Sequence, residues 1–150
     1  YLCLMPCNLY GPNDNYDTNN SHFLPALMKK IDFAKEKKLN YITLWGDGSP
    51  KRELMHVDDL ANSILFFLKK KSNKYLINVG SGEEYTIQKF AKKIMGLLNY
   101  QVDIRLDSSM PNGTMRKLLD SSHANKLGWK SKILFKKGFK NAYEDYLKKK

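Results

Sequence analysis

Residues 1–22 limit what this chain can fold into more than any other stretch. Tyr1–Met5 is an apolar run with the length of a buried strand. Pro6 and then Gly11-Pro12 break it, since neither continues a strand or a helix. A polar loop runs from Asn13-Asp14-Asn15 to Asn19-Asn20-Ser21 and delivers His22 to the start of a helical pattern. Strand end, irregular loop and helix start, in that order, are where open α/β sheets place their ligands.

The rest of the chain repeats the alternation. Ser21–Lys38 has helical spacing in Phe23, Leu24, Leu27, Ile31 and Ala34, with Ser21 as a possible cap and Pro25 tolerable near the first turn. Tyr41–Trp45 reads as a strand, Gly46-Asp47-Gly48-Ser49-Pro50 as a turn, and Glu53–Val57 as a second extended piece. Asp58 can cap a helix whose inward face would be Leu60, Ala61, Ile64, Leu65 and Leu68. Tyr75–Val79 is a strand, and Thr86 caps a helix carrying Ile87, Phe90, Ala91, Ile94, Leu97 and Leu98. Val102–Leu106 alternates like a strand, Ser108–Thr114 is a loop, and Ser122–Leu127 a short helix. A last helix would turn Phe139, Tyr143 and Leu147 inward. Strands alternating with helices mean an α/β fold.

Composition bounds the function. The 150 residues carry a formal net charge of +11, which raises nucleic acid as a partner. Only Arg52, Arg105 and Arg116 of the 26 basic residues are arginine, the side chain suited to bidentate phosphate and base contacts. The lysines spread over 29–38, 69–74 and 126–150 on faces expected to be wet. A non-catalytic nucleic-acid module is therefore the rival from another class, and a salt-dependent shift with random DNA would favour it. No apolar run approaches the ~20 residues of a membrane helix. No charged-then-apolar leader opens the chain, which starts with Tyr1 in mid-strand and is read as the C-terminal half of a longer protein. Cys3 and Cys7 offer neither a disulfide framework nor a metal site, and fit a reduced, cytoplasmic setting. Gly80-Ser81-Gly82 follows a strand, but Tyr85 stands where the third glycine of a dinucleotide fingerprint belongs, so a tight turn is the better reading.

A resemblance runs in order through the whole chain. Met5-Pro6-Cys7-Asn8-Leu9-Tyr10-Gly11-Pro12-Asn13-Asp14-Asn15 and Asn20-Ser21-His22 open it. Leu44 to Asp59, Ile77 to Gly82, Pro111 to Asp120 and Leu127-Gly128-Trp129 continue it. These segments resemble the GDP-L-fucose synthases, epimerase-reductases of the extended short-chain dehydrogenase/reductase superfamily. The motifs from His56 to Gly82 are shared across extended reductases and epimerases, so another nucleotide-sugar epimerase or dehydratase is the nearer alternative.

The resemblance implies NADPH-dependent epimerisation at carbons 3 and 5 of GDP-4-keto-6-deoxy-D-mannose, then reduction at carbon 4, in a homodimer with no nucleic-acid or membrane partner. It implies that residues 1–14 end an NADP-binding Rossmann domain. Residues 15–150 would form mainly the substrate domain, with about 54–80 packing back on the Rossmann domain. The cofactor fingerprint, the Tyr-x-x-x-Lys pair and the catalytic cysteine of the family have no match among these residues. Pro6, Cys7, Asn8 and Leu9 match the loop that passes the nicotinamide, and Cys7 is not the family's catalytic cysteine. His22 matches the catalytic histidine beside the cofactor; an imidazole, with an ordinary pKa of ~6.5, can take or give a proton at neutral pH. Lys30, Trp45, Arg52 and Asn112 match substrate contacts. Lys30 stands where arginine is usual and Asn112 where aspartate is usual, so the planar fork and the negative charge are lost at those positions. Read without the family, Trp45 would be a core residue and Arg52 a solvated turn charge.

Overall fold

The computed structural model describes residues 1–17 and 20–150; Thr18 and Asn19, in the loop before His22, lie outside the described residues. The elements run β1 (Cys3–Pro6), β2 (Asn8–Tyr10), α1 (Phe23–Glu36), β3 (Tyr41–Trp45), β4 (Lys51–His56), α2 (Val57–Lys69), β5 (Leu76–Val79), β6 (Glu84–Thr86), α3 (Ile87–Leu97), β7 (Asp103–Asp107), β8 (Arg116–Lys117), α4 (Ser122–Lys126) and α5 (Phe135–Lys149). They fall into two compact units. One holds Tyr1–Asn13, Glu53–Glu84 and Lys117–Lys150; the other holds Asp14–Arg52 and Tyr85–Arg116.

In the first unit the chain stays in strand geometry through Pro6, contrary to the break expected from the proline. Pro6 ends β1 opposite Val79, and after the single residue Cys7 the chain re-enters strand geometry at Asn8. Proline lacks only a donor, and a strand end loses little by it. β1 runs parallel to β5, whereas β2 runs parallel to β4 in the register Asn8↔Leu54 to Tyr10↔His56. The chain therefore changes partner at Cys7, whose N–H still donates to Val79 O at 3.0 Å. The core of this unit gathers Met55, Phe67, Ile77, Val79, Ala124 and Trp129.

Two helices of this unit bury faces other than the expected ones. α2 is capped by His56, whose Nδ1 accepts from Asp58 N at 3.2 Å; Asp58 sits inside the first turn instead of capping it. The buried stripe of α2 is Asp59, Ser63 and Phe67. Asp59 fixes that rotation, because its carboxylate accepts from Ser131 Oγ, Lys132 N and Ile133 N at 2.8–3.1 Å. Ile64, Leu65 and Leu68, expected inside, are exposed. In α5 the buried positions are Gly138, Phe139, Ala142 and Tyr146, so Leu147 faces out. A mixed 3- and 4-residue spacing tracks one helix face, whereas a strict 4-residue spacing drifts off it. At Gly138 there is no room for a side chain, since a Cβ would run into the Tyr10 hydroxyl.

In the second unit α1 packs on α3 and on β3, and β3 runs parallel to β7 in the register Tyr41↔Asp103 to Trp45↔Asp107. Leu24, Leu27, Met28, Ile31 and Ala34 of α1 are all buried, as are Phe90, Ala91, Ile94 and Met95 of α3 and Ile42 and Leu44 of β3. Pro25 is the third helical residue of α1, where the missing N–H has no intrahelical partner to lose. The α1 cap is His22 rather than Ser21. Thr86 caps α3 as expected, accepting from Lys89 N at 3.1 Å.

Candidate functional site

Four of the expected site residues come together in the second unit. Trp45 ends β3 and is 60% exposed, so it is not a core tryptophan. The turn after it has left-handed Gly46 and Gly48, a conformation glycine adopts without cost. Asn112 latches this turn: its Oδ1 accepts from Asp47 N at 2.8 Å, and it lies where a Cβ on Gly46 would be. Ser49 first of all, through hydroxyl and backbone N–H, holds the Asp47 carboxyl below the usual carboxylate range. An aspartate at 112 would set a second negative charge near that carboxyl, whereas the amide carries none. Arg52 follows on β4. Its Nη1 donates to Lys51 O and Thr114 O at 2.8 and 2.6 Å, and its Nη2 lies 3.7 Å from where a Gly113 side chain would begin. Lys30, from α1, donates to Thr43 O at 2.6 Å, two residues before Trp45 on the same strand.

The electrostatics of this group are unbalanced. Burial draws both the Lys30 ammonium and the Arg52 guanidinium below their ordinary pKa values. Both donate only to backbone carbonyls, and neither pairs with a carboxylate among the described residues. A partly desolvated cation without a counter-charge is unfavourable until an anion arrives. Two such cations in the unit that also exposes the Trp45 indole suit an anionic, ring-bearing ligand.

His22 is exposed at the head of α1, and its side chain makes no capping bond. The Pro6–Leu9 bend belongs to the first unit. Pro6 and Asn8 are exposed, and Cys7 and Leu9 half-buried, at the carboxyl end of the parallel strand β1. Burial first, and then the Glu53 carboxylate, push the Cys7 thiol up to about 12. Cys3 is exposed. Mild alkylation at neutral pH, read by peptide mass mapping, should label Cys3 well before Cys7, because only the thiolate reacts. Equal labelling would mean that Cys7 is not held in this environment.

The Gly80–Gly82 turn is no phosphate cradle. Gly82 N donates to Glu53 Oε1 at 2.8 Å, and a Cβ on Gly80 would run into that same oxygen. A protein carboxylate already fills the place an anion would take. Sequence reading passed over Glu53, a buried acid with backbone donors, as is Asp59. The signal for Glu53 was a lone acid beside the apolar run Leu54-Met55. His123 lies 3.4 Å from Ser72 Oγ through Nε2.

Comparison with known proteins adds the family. The model of the NAD dependent epimerase/dehydratase family matches residues 1–80, more than half of the chain. The chain belongs to that family. Probable GDP-L-fucose synthase 1 of Oryza sativa subsp. japonica is 44% identical over 146 residues, which is 97% of this chain and 44% of that protein. GDP-L-colitose synthase of Yersinia pseudotuberculosis is 39% identical over 154 residues, 100% of this chain and 49% of that protein. The chain thus spans about half the length of the curated relatives it matches. A GDP-L-fucose synthetase structure from Naegleria fowleri superposes with a TM-score of 0.86 at 24% identity, over 98% of this chain and 46% of that one, a likeness of fold. The α/β fold expected from the sequence, that of the extended short-chain dehydrogenases/reductases, is the fold of this member of the NAD dependent epimerase/dehydratase family. No helix of the described residues is long and apolar enough to cross a membrane.

Proposed function

We propose that this chain is the substrate-binding C-terminal half of an NADPH-dependent enzyme that converts GDP-4-keto-6-deoxy-D-mannose to GDP-L-fucose. The observation that carries the reading is the pair Lys30 and Arg52, two cations of one compact unit answered only by carbonyls, with the exposed Trp45 in the same unit. Arg52 binds the diphosphate through its planar fork and Lys30 adds charge. Trp45 offers its face to the substrate, and Asn112 fixes the turn behind it. The compact unit that includes Tyr1–Asn13 and Glu53–Glu84 is the edge of the cofactor domain, and the unit of Asp14–Arg52 and Tyr85–Arg116 is the substrate domain.

The Pro6–Leu9 bend fits the nicotinamide end of NADP(H), because it presents uncharged backbone at the carboxyl end of a parallel strand. When bound, NADPH supplies the hydride for carbon 4. His22 moves protons at carbons 3 and 5, where the neighbouring keto group stabilises the carbanion. Its side chain is committed to no cap and is available for that work.

A second reading, another GDP-sugar of related chemistry, draws on the relative named GDP-L-colitose synthase and on Lys30 and Asn112. The deciding experiment supplies the whole protein with NADPH and GDP-4-keto-6-deoxy-D-mannose and identifies the product by NMR. GDP-L-fucose supports the first reading; no turnover of that sugar overturns it. Residues 1–150 alone should show no saturable NADPH binding by fluorescence or calorimetry, because the chain holds no dinucleotide fingerprint. Saturable binding would place the cofactor site within this chain.

A further inference from the structure

One buried charge has no part in the proposed chemistry. Glu53 is 0% exposed and faces no cation among the described residues. Its Oε1 accepts from Gly82 N at 2.8 Å and its Oε2 from Leu119 N at 3.0 Å. Its backbone oxygen accepts from Asn8 Nδ2 at 3.0 Å. Segments 29, 45 and 66 residues away in sequence therefore meet at this one residue. A carboxylate buried without a counter-ion is costly unless fixed donors replace its water, and here two backbone N–H groups do so. Gly80 must lack a side chain for the carboxylate to lie where it does. The charge also reaches the bend, since it contributes to holding the Cys7 thiol up.

We infer that Glu53 is a positioning residue: it holds the Pro6–Leu9 bend, the Gly80–Gly82 turn and Leu119 in one register. Its side chain holds the turn and Leu119, while its carbonyl holds Asn8 on the neighbouring strand. The consequence for catalysis rests on the proposed cofactor-facing role of the bend.

Glu53→Gln tests it in the whole protein. Glutamine keeps the shape but sets an NH2 group against one of the two N–H donors, leaving that donor unpaired. The KM for NADPH should rise by about tenfold or more, because a loosened bend lowers the fraction of protein ready to bind, with kcat held within about twofold. Amide exchange should accelerate at Gly82 and Leu119, and at Cys7, whose N–H donates to Val79 O just before the released turn, and not in α1 or α3. A folded variant with unchanged NADPH KM overturns the inference. So does exchange that rises equally everywhere, which marks a merely structural acid. Should Glu53→Gln fail to fold, Gly80→Ala keeps the carboxylate but pushes it aside, and must give the same split between KM and kcat. If the wild-type protein does not use NADPH, the proposed function fails by itself. Glu53 is then judged by exchange alone, and unchanged rates at Cys7, Gly82 and Leu119 reject it.

Discussion

His22→Gln in the whole protein is expected to slow 3,5-epimerisation by ~10²–10⁴, the usual worth of a general acid–base group. Glutamine retains hydrogen bonding at that position but cannot exchange protons near neutral pH. Folding should survive, because the His22 side chain is exposed and makes no capping bond, so α1 loses nothing it uses. NADPH affinity should survive to the same degree. The assay is solvent deuterium uptake at carbons 3 and 5 of the keto sugar, run without NADPH so that reduction cannot hide it. Wild-type protein should exchange both positions and the variant far more slowly. Exchange at the wild-type rate by a folded variant would remove His22 from the chemistry.

Arg52→Ala should mainly weaken the nucleotide sugar. A charge-assisted contact to a diphosphate is worth ~1.5–3 kcal/mol, or about 10- to 150-fold in affinity. The arginine's own protein partners are the carbonyls of Lys51 and Thr114, which lie at a surface and can turn to water, so the change should cost little stability. Calorimetric titration with GDP and with NADPH separates the outcomes. A loss confined to GDP fits the proposed site. Equal loss for both ligands, or for neither, would make Arg52 a structural or a solvated side chain.

Trp45 and Arg52 show how far the sequence reached. Periodicity alone made Trp45 a core residue and Arg52 a turn charge, and only their matching motifs pointed to a ligand. The structure turns Trp45 outward and gives Arg52 two carbonyls and no carboxylate. Asn112 was read as a ligand contact; its hydrogen bond to Asp47 N could not be foreseen, since it joins residues 65 apart in sequence. The rotation of α2 was likewise hidden. Its apolar residues outnumber those one face can bury, and Asp59 settles the choice through hydrogen bonds to residues 131–133.

Local chemistry was enough for what depends on neighbours in sequence. The alternation of strands and helices, the glycine turn at 46–48, the Thr86 cap and the core stripe of α1 follow from spacing and side-chain type, because each is decided within about two turns of chain. Pairings across the chain were not written there. That β1 and β2 take different neighbours on either side of Cys7, and that residues 117–150 join the unit of Tyr1–Asn13, depends on which apolar surfaces meet once the chain has closed. The buried charge of Glu53 belongs with these. A carboxylate reads as solvent-facing until the fold brings the N–H groups of Gly82 and Leu119 to it, and only that convergence offsets the cost of taking it out of water.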